Sequence, residues 1–389
     1  MTDKAIQGLF VLLRVVLHPE RRLTPEEKEQ ICPEYPAIYE LAKKHALAHL
    51  IGYAARTADL LPEGELADTM KRDQIAAVYR YESIRHELEQ LCRVLEQAGI
   101  PFAPLKGSVL RQYYPEPWMR TSCDIDVLLH ESDLSRAIAH LQETLQYTGG
   151  TFKSSYDVVM YTRRRLHIEL HFRLTEKGKV ISAEKTLDGV WDHMQPVKEG
   201  ACHHVMTDAI FYLHHIAHMA KHFENGGCGV RPFLDLWILD HRVSHNRQQR
   251  DALLQESGLL TFAEACRRLA ESWFSGAPLD AVSRQMQGYI LYGGVYGSQD
   301  NLVAVQQGKQ GGKVRYALRR IFLPYDDLKY HYPILQKHPW LTPVGHVCRW
   351  GKLLFRGQMK RAVRELRRNE KMENETVDSV ARLLKEIGL

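Results

Sequence analysis

The chain has 389 residues, of which 44% are hydrophobic and 25% are charged, as is typical of a globular protein with a sizeable core. This length predicts two or three domains. Charge interrupts the apolar runs, as Arg14 interrupts residues 9–17, so the sequence predicts no segment that could span a bilayer. No cleavage-site pattern follows that stretch, and we interpret it as a helix rather than a signal peptide.

The cysteines indicate the cellular compartment, and the charge distribution shows where the basic residues lie. Seven cysteines are scattered along the chain without a Cys-x-x-Cys pair, so we expect reduced thiols and a cytoplasmic protein. The net charge of +5 is unevenly placed, because the residues from Lys313 onward contain 17 Lys and Arg against 8 Asp and Glu. The basic character therefore belongs to the C-terminal segment.

Residues 1–98 predict helices. Apolar residues from Ile84 to Leu95 recur at spacings of four, three and four, which places them on one helix face. Gly99 then ends this helix as a C-cap and releases the chain into a strand over residues 100–105. We interpret the region as a scaffold that packs on a sheet.

The turn after that strand contains Lys106, Gly107 and Ser108. A glycine between a strand and a helix lets backbone N–H groups approach phosphates, and the helix N-terminus adds favourable partial charge. The turn is not a Walker loop, because the long glycine spacing is missing. We predict that it contacts a triphosphate.

Two later segments carry acidic residues at strand spacing. In the first, Asp124 and Asp126 share one face, while the intervening apolar residues and Cys123 are expected to enter the core. In the second, Glu169 shares a face with the histidines two residues before and after it. If the two strands are neighbours, three carboxylates converge, and such hard oxygen ligands suit Mg²⁺, with Mn²⁺ as the alternative. Two metals held this way can clamp both oxygens of an in-line displacement.

These blocks resemble a known superfamily. A Gly-Ser turn, an Asp-x-Asp strand and a later acidic strand are similar to the polymerase β-like nucleotidyltransferases. The Leu-Lys-Gly and Tyr-Tyr-Pro stretches, Arg120 before Asp-Ile-Asp, and Ile-Glu-Leu-His look more closely like a largely uncharacterised bacterial nucleotidyltransferase family. The likeness is strongest over residues 100–239. Lys106 departs from the wider superfamily, which often has an apolar residue there, but agrees with that subfamily.

The resemblance implies transfer of a nucleoside monophosphate from an NTP. It implies that Asp124, Asp126 and Glu169 are catalytic and bind the metal, and that Gly107 and Ser108 form the phosphate-binding turn. Four further residues are candidate substrate contacts: Lys106, Arg120, His171 and His222. Arg120 is included because a guanidinium can grip two oxygens, although Lys106 and Arg120 could equally be surface charges.

Between the acidic strands we predict a helix from about Ser132, ended by Gly149 and Gly150. Residues 151–161 are rich in β-formers, and the three arginines at 163–165 predict the tip of a hairpin that returns through the Glu169 strand. This order predicts an α+β fold with a small mixed sheet.

From Thr207 the sequence predicts a helix rich in histidine. His214, His218 and His222 share one face, which leaves two interpretations open. One is a zinc site, although no His-Glu-x-x-His motif or nearby thiolate supports it. The other, which we favour, is a helix along the cleft, with some histidines packed and His222 or Lys221 near the triphosphate. Asp235 is expected to orient a histidine or to cap local backbone.

Amphipathic helices are predicted over residues 240–285, followed by a glycine-rich interval over 288–312 that indicates loops and a boundary. The tail then combines basic and aromatic residues. Its basic residues include Arg315, Arg319, Arg320, Lys352, Arg356, Lys360, Arg361, Arg364, Arg367 and Arg368; its aromatic residues include Tyr330, Tyr332, Trp340 and Trp350.

Four interpretations of the tail stay open: an RNA contact, an anionic lipid surface that would place the protein at the inner membrane surface, another anionic partner, or a helix simply docked on the core. Overall, we predict a helical N-terminal region (1–98), a nucleotidyltransferase core (99–200), a helical region that completes the cleft (201–310) and a basic helical region (311–389). The predicted activity is Mg²⁺-dependent nucleotidyl transfer to an unidentified acceptor hydroxyl or phosphate. The alternative is a catalytically inactive nucleotide-binding or regulatory protein that retains the fold.

Overall fold

The N-terminal quarter of the chain is helical, as its apolar periodicity predicts. The computed structural model describes residues 2–152, 154–175, 181–355 and 359–389. Its first helices are α1 (Asp3–Leu17), α2 (Pro25–Ile31), α3 (Tyr35–Lys44), α4 (Ala48–Thr57) and α5 (Glu65–Gln97). Gly99 adopts φ +63° just after α5, so the predicted glycine at the helix end is confirmed.

The strands form one small mixed sheet and a separate short hairpin. The sheet contains β1 (Phe102–Pro104), β2 (Asp124–Leu129), β3 (Thr148–Phe152), β4 (Asp157–Tyr161) and β5 (His167–His171), in the order β1-β2-β5-β4-β3. Only the β2–β5 pair is parallel among these described strands. The two acidic strands are therefore direct neighbours, with Asp126 opposite Glu169 and Asp124 opposite His167.

The two faces of the sheet meet different layers. Alternate residues of β2, from Ile125 to Leu129, pack with α5 and with the apolar face of α7 (Leu134–Leu145). Because side chains alternate along a strand, Asp124 and Asp126 lie on the opposite face. That face is turned towards the helices that follow the sheet.

The remaining elements are largely helical. They are α6 (Gly107–Leu110) between β1 and β2, then α8 (Ile181–Asp188), β6 (Met194–Pro196), β7 (His204–Met206), α9 (Asp208–Glu224), α10 (Arg231–His241), α11 (Arg247–Glu256), α12 (Leu260–Phe274), α13 (Ala281–Gly293), α14 (Gln299–Gln310), α15 (Lys313–Ile321), α16 (Tyr325–His331), α17 (Ile334–Lys337), α18 (Thr342–Phe355), α19 (Met359–Lys371) and α20 (Asn374–Glu386). The α+β fold class with helical flanks is confirmed. None of the described helices is both long and apolar enough to cross a bilayer. Arg356 and the side chain of Tyr330, both named in the tail, lie outside the described part.

We had expected Gly149 and Gly150 to end α7, but they do not. The helix ends at Leu145, Gln146 follows in the left-handed conformation, and both glycines lie inside β3. A Cβ on Gly149 would lie 2.7 Å from the carbonyl oxygen of Val159, so the close approach of β4 requires glycine there.

Two further expectations were wrong. Cys123 is exposed rather than buried, because it precedes β2 and the alternation begins only at Asp124. The glycine-rich interval is partly helical, since Gly288 lies in α13 and Gly308 in α14. An ideal Cβ on Gly308 would meet Ala381 of α20 at 3.8 Å, which is an ordinary contact distance.

Candidate active site

The acidic face of the sheet borders a cleft of about 390 Å³, whose other wall is formed by α9 and the start of α10. All nine predicted site residues line it: Lys106, Gly107, Ser108, Arg120, Asp124, Asp126, Glu169, His171 and His222. A larger groove of about 870 Å³ lies on the C-terminal helices and contains none of them. The sequence-predicted residues are therefore brought together in one place.

The acidic residues form a connected cluster with two histidines. His171 Nε2 lies 3.0 Å from Asp126 Oδ1 and 3.2 Å from Glu169 Oε2. On the other side of Glu169, its Oε1 lies 3.5 Å from His167 Nδ1. His171 thus joins the Asp126 carboxylate of β2 to the Glu169 carboxylate of β5.

Two sets of side chains in this cluster could hold a metal ion. Ligand atoms of Asp124, His167 and Glu169 lie within 4.8 Å of one another, and so do those of Asp126, Glu169 and His171. Among the described residues, no other set of three shows this arrangement. The three carboxylates fit a hard divalent cation, and Glu169 belongs to both sets.

The carboxylates differ in their electrostatic surroundings. Burial raises the pKa of Asp124, and the charges of Asp126 and Glu169 raise it further. Burial also acts to raise the pKa of Asp126, but Lys106 and a hydrogen bond with His171 lower it more, so that it lies below its usual range. A cation among these groups would relieve the repulsion that Asp124 experiences.

The turn before the cleft has a strained backbone. Lys106 adopts φ +39°, which an L-residue rarely does and which costs on the order of 1–3 kcal/mol. The backbone N–H groups of Lys106 and Gly107 have no hydrogen-bond partner among the described residues. These free donors at the start of α6 are the kind of group that binds phosphate oxygens.

Arg111 fixes this turn, and the sequence analysis did not find it. Its Nε donates to the carbonyl oxygen of Gly107 at 2.8 Å, and a terminal nitrogen donates to Ser122 Oγ at 3.2 Å. Burial lowers the pKa of Arg111 to about 10. Its spacing of four residues from Gly107, one helical turn, was the available signal.

Arg120 is occupied by a buried ion pair. Its Nε donates to Asp235 Oδ1 at 2.7 Å, and the hydroxyl of Tyr114 donates to the same oxygen at 2.6 Å. Asp235 therefore neither orients a histidine nor caps backbone, contrary to our expectation. An Arg120 terminal nitrogen lies 3.4 Å from the position of an ideal Cβ on Gly107, so the guanidinium lies beside the turn and lines the same cleft.

The histidines of α9 divide between the core and the cleft. His214 and His215 are buried, whereas His218 and His222 line the cleft with their Nε2 atoms 3.3 Å apart. Burial, together with the charge of Lys106, lowers the pKa of His222 to about 4. Within the described residues these histidines belong to no set of three metal ligands, so the zinc interpretation gains no support.

Several cleft residues carried no recognised signal in the sequence. They are His45, Tyr156, Thr175, Arg231 and Tyr296. Arg231 donates to the carbonyl oxygen of Thr121 at 3.1 Å, and the Tyr156 ring lies under Lys221 Nζ at 5.0 Å. They come from loops and helix starts far apart in the chain, which no local pattern connects.

Comparison with known proteins assigns the chain to a family. A family model described as "uncharacterised nucleotidyltransferase" matches residues 33–275, which is more than half of the chain. The chain belongs to this nucleotidyltransferase family. Nucleotidyltransferases are transferases of phosphorus-containing groups, so this protein is an enzyme of that class. The family match covers α3 to α12 with the whole sheet, and it stops before Tyr296 and the C-terminal helices. No curated protein and no solved structure matches the chain significantly.

Proposed function

We propose that the protein transfers a nucleoside monophosphate from an NTP to an acceptor hydroxyl or phosphate, and that it requires Mg²⁺. The observation that carries this proposal is the placement of Asp124, Asp126 and Glu169 on two parallel neighbouring strands, facing the same cleft as the Gly107 turn. In the reaction, the acceptor oxygen attacks the α-phosphorus, and the bond to pyrophosphate breaks.

The three carboxylates would hold the divalent ion or ions. A bound Mg²⁺ neutralises triphosphate charge and stabilises the oxygens of an in-line displacement. Mn²⁺ is the alternative, because carboxylate and water ligands suit it as they suit Mg²⁺. His171 serves as a positioning residue, since its Nε2 lies within hydrogen-bonding distance of Asp126 and Glu169.

The turn would bind the triphosphate. The free N–H groups at Lys106 and Gly107 contact its oxygens, with the Ser108 hydroxyl beside them, and the Lys106 ammonium adds positive charge. Arg120 positions the turn through its ion pair with Asp235. His222, kept neutral by burial, contacts the substrate from the opposite wall.

The test combines binding and turnover. Each labelled NTP is incubated with Mg²⁺, the protein and a cell extract, and label retained on any acceptor is measured. Asp124→Asn with Asp126→Asn should lower transfer by at least about a hundredfold and weaken Mg²⁺-dependent NTP binding. Asp192→Asn, an exposed aspartate outside the cleft, is the matched control and should change neither.

Two outcomes would count against the proposal. Unchanged Mg²⁺-dependent binding and turnover in the double variant would remove the metal-site assignment. Tight Mg²⁺-dependent binding without label transfer to any acceptor would instead favour an inactive nucleotide-binding protein with the same fold.

A further inference from the structure

The C-terminal helices carry an unusual concentration of exposed apolar side chains. Of the 21 large apolar residues exposed in the described part of the chain, 11 lie between Val314 and Val363. Scattered exposed apolar residues are ordinary, but a cluster of them marks an interaction surface. This surface therefore needs an explanation beyond the catalytic cleft.

Helix α18 has one packed face and one apolar outward face. On the packed face, Trp350 donates to the carbonyl oxygen of Ile321 at 3.0 Å, and an ideal Cβ on Gly345 would meet Leu328 at 3.1 Å. The outward face is formed by Val344, Val347, Gly351, Leu354 and Phe355, which recur at helical spacing.

The exposure of this outward face is high. Leu354 is 62% exposed, Phe355 is 93% exposed, and Trp340 just before the helix is 74% exposed. An ideal Cβ on Gly351 would meet nothing within 4 Å. We call Trp340, Val344, Val347, Leu354 and Phe355 the α18 apolar surface. One side of α18 thus packs on neighbouring C-terminal helices, and the other side carries the α18 apolar surface.

A second helix beside it repeats the pattern. Val314, Leu318 and Ile321 of α15 recur at helical spacing and are exposed, whereas Tyr316 on the opposite side is buried. The C-terminal end of α15 is held against α18, because Arg349 donates to the carbonyl oxygen of Arg320 at 3.0 Å.

The charge around the α18 apolar surface is strongly positive. Residues 337–368 contain nine Lys and Arg and one acidic residue, Glu365. Helix α18 itself has two basic residues and no acidic residue. Lys352 and Lys360, on α18 and at the start of α19, are exposed.

We propose that α18 lies flat on an anionic lipid bilayer, with the α18 apolar surface inserted between the lipid headgroups. Helices that bind membrane surfaces combine one apolar face, aromatic residues and flanking Lys or Arg, and this segment has all three. The proposal goes beyond nucleotidyl transfer and does not depend on it.

Other occupants fit the surface less well. A second copy of the chain would bring two basic segments together, and like charges repel. A single-stranded nucleic acid would match the charge, but its bases stack on aromatic rings, whereas three of the five residues here are aliphatic. An anionic bilayer satisfies both the charge and the apolar face.

The test measures flotation of the full chain, without NTP, with vesicles of phosphatidylglycerol and phosphatidylcholine in equal parts, and with vesicles of phosphatidylcholine alone. The wild type should bind the anionic vesicles more tightly, and added salt should weaken that binding. Leu354→Ser with Phe355→Ser should lower the affinity at least about tenfold, because the variant transfers less apolar surface from water into the bilayer. Lys352→Gln with Lys360→Gln should lower it about fivefold for each charge.

The chain offers a matched control on α5. Ile75 and Tyr79 are 59% and 68% exposed and lie one helical turn apart, but this helix carries more acidic than basic residues. Ile75→Ser with Tyr79→Ser should leave vesicle binding unchanged. Because all these side chains are exposed, circular dichroism should show the same fold in every variant.

Three results would overturn the proposal. One is the absence of binding to anionic vesicles at low salt, and another is undiminished binding in the Leu354→Ser, Phe355→Ser variant. The third is salt-sensitive binding to a single-stranded RNA, or a dimer that the same variant dissociates, without vesicle binding; either would assign the surface to that partner instead.

Discussion

At the scale of single residues, Gly107 is informative because the protein alone does not require glycine there. Its φ is not in the left-handed region, and an ideal Cβ would make ordinary contacts, 3.4 Å from an Arg120 nitrogen and 3.6 Å from the Cβ of Ser122. The space beside this backbone is open on the cleft side. A ligand that approaches the backbone is therefore the best explanation for glycine.

The variant Gly107→Ala tests whether glycine is required here for ligand binding rather than for folding. The free energy of unfolding should stay within about 1 kcal/mol of the wild type, since alanine is accepted in the first turn of a helix. NTP affinity, measured by calorimetry with Mg²⁺, should fall at least about tenfold, because the added methyl group reaches into the space of a phosphate. Ser108→Ala, which keeps the backbone accessible, should lose much less. Equal NTP affinity in a folded Gly107→Ala protein would refute the phosphate-binding turn.

His49 gives the fold a pH dependence. Its Nε2 donates to the carbonyl oxygen of Met119 at 2.9 Å, and burial lowers its pKa to about 4. In the unfolded chain its pKa is about 6.5, so below that pH the unfolded state binds a proton that the folded state refuses. This stabilisation is complete above pH ~6.5 and is lost as the pH falls towards ~4.

His49→Gln should remove this dependence while keeping a donor for the Met119 carbonyl. Between about pH 6 and 4.5, the slope of unfolding free energy against pH should be shallower than in the wild type by up to about 1.4 kcal/mol per unit. Urea denaturation at several pH values measures it. Above pH ~7 the two slopes should coincide. Parallel curves over the acidic range would show that His49 is protonated in the folded protein.

At the scale of elements, one buried ion pair ties the phosphate turn to the helical region. Arg120, just before β2, and Asp235 on α10 are both largely buried, with side chains 12% and 2% exposed. Tyr114 shares the same carboxylate oxygen. The position of the turn therefore depends on α10 as well as on the sheet.

Removing one partner of the ion pair should lower the free energy of unfolding more than removing the hydrogen bond from Tyr114 to the same carboxylate. Asp235→Ala leaves a buried guanidinium without its carboxylate, so the free energy of unfolding should fall by about 3–5 kcal/mol. Tyr114→Phe should lower it less, by about 1.5–3 kcal/mol, because the lost hydrogen bond is one to a charged carboxylate. Chemical denaturation measures both. Similar losses in the two variants would mean that water replaces Asp235 at little cost, and that Arg120 is free to contact phosphate.

Local sequence patterns predicted the strands that position the acidic residues. The roles that these patterns did not predict depend on tertiary contacts. The alternation over β2 and β5 was readable because one face of each strand is apolar. By contrast, a glycine in the sequence can indicate either a helix end or a close contact between strands. Only the approach of Val159 in the folded protein shows that Gly149 serves a strand contact. Arg231 donates to the carbonyl oxygen of Thr121, which only the fold brings to it, so its role was not visible in the sequence.

At the scale of the whole molecule, the chain termini share one core. Buried residues of α1, α9, α12 and α20 belong to the same hydrophobic cluster. Leu384 of α20 is 5% exposed within it. The Gln307 side-chain amide donates to the carbonyl oxygen and to the side chain of Asn369, at 2.9 and 2.8 Å, and so joins α14 to α19. The domain boundary near residue 310 remains a prediction. These contacts cross it, so they argue against two independently folding units on its two sides.

A core shared in this way predicts that α20 and α12 unfold together. Leu384→Ala removes buried apolar volume and should lower the free energy of unfolding by about 2–5 kcal/mol. Hydrogen–deuterium exchange by mass spectrometry should then show protection falling equally in α20 and in α12, because both open only in the global transition. Val314→Ala, at a position that is 74% exposed, is the control and should change neither. If α20 instead exchanged early while α12 kept its protection, the C-terminal helices would be a separately unfolding unit, and the basic region could be removed without loss of the catalytic cleft.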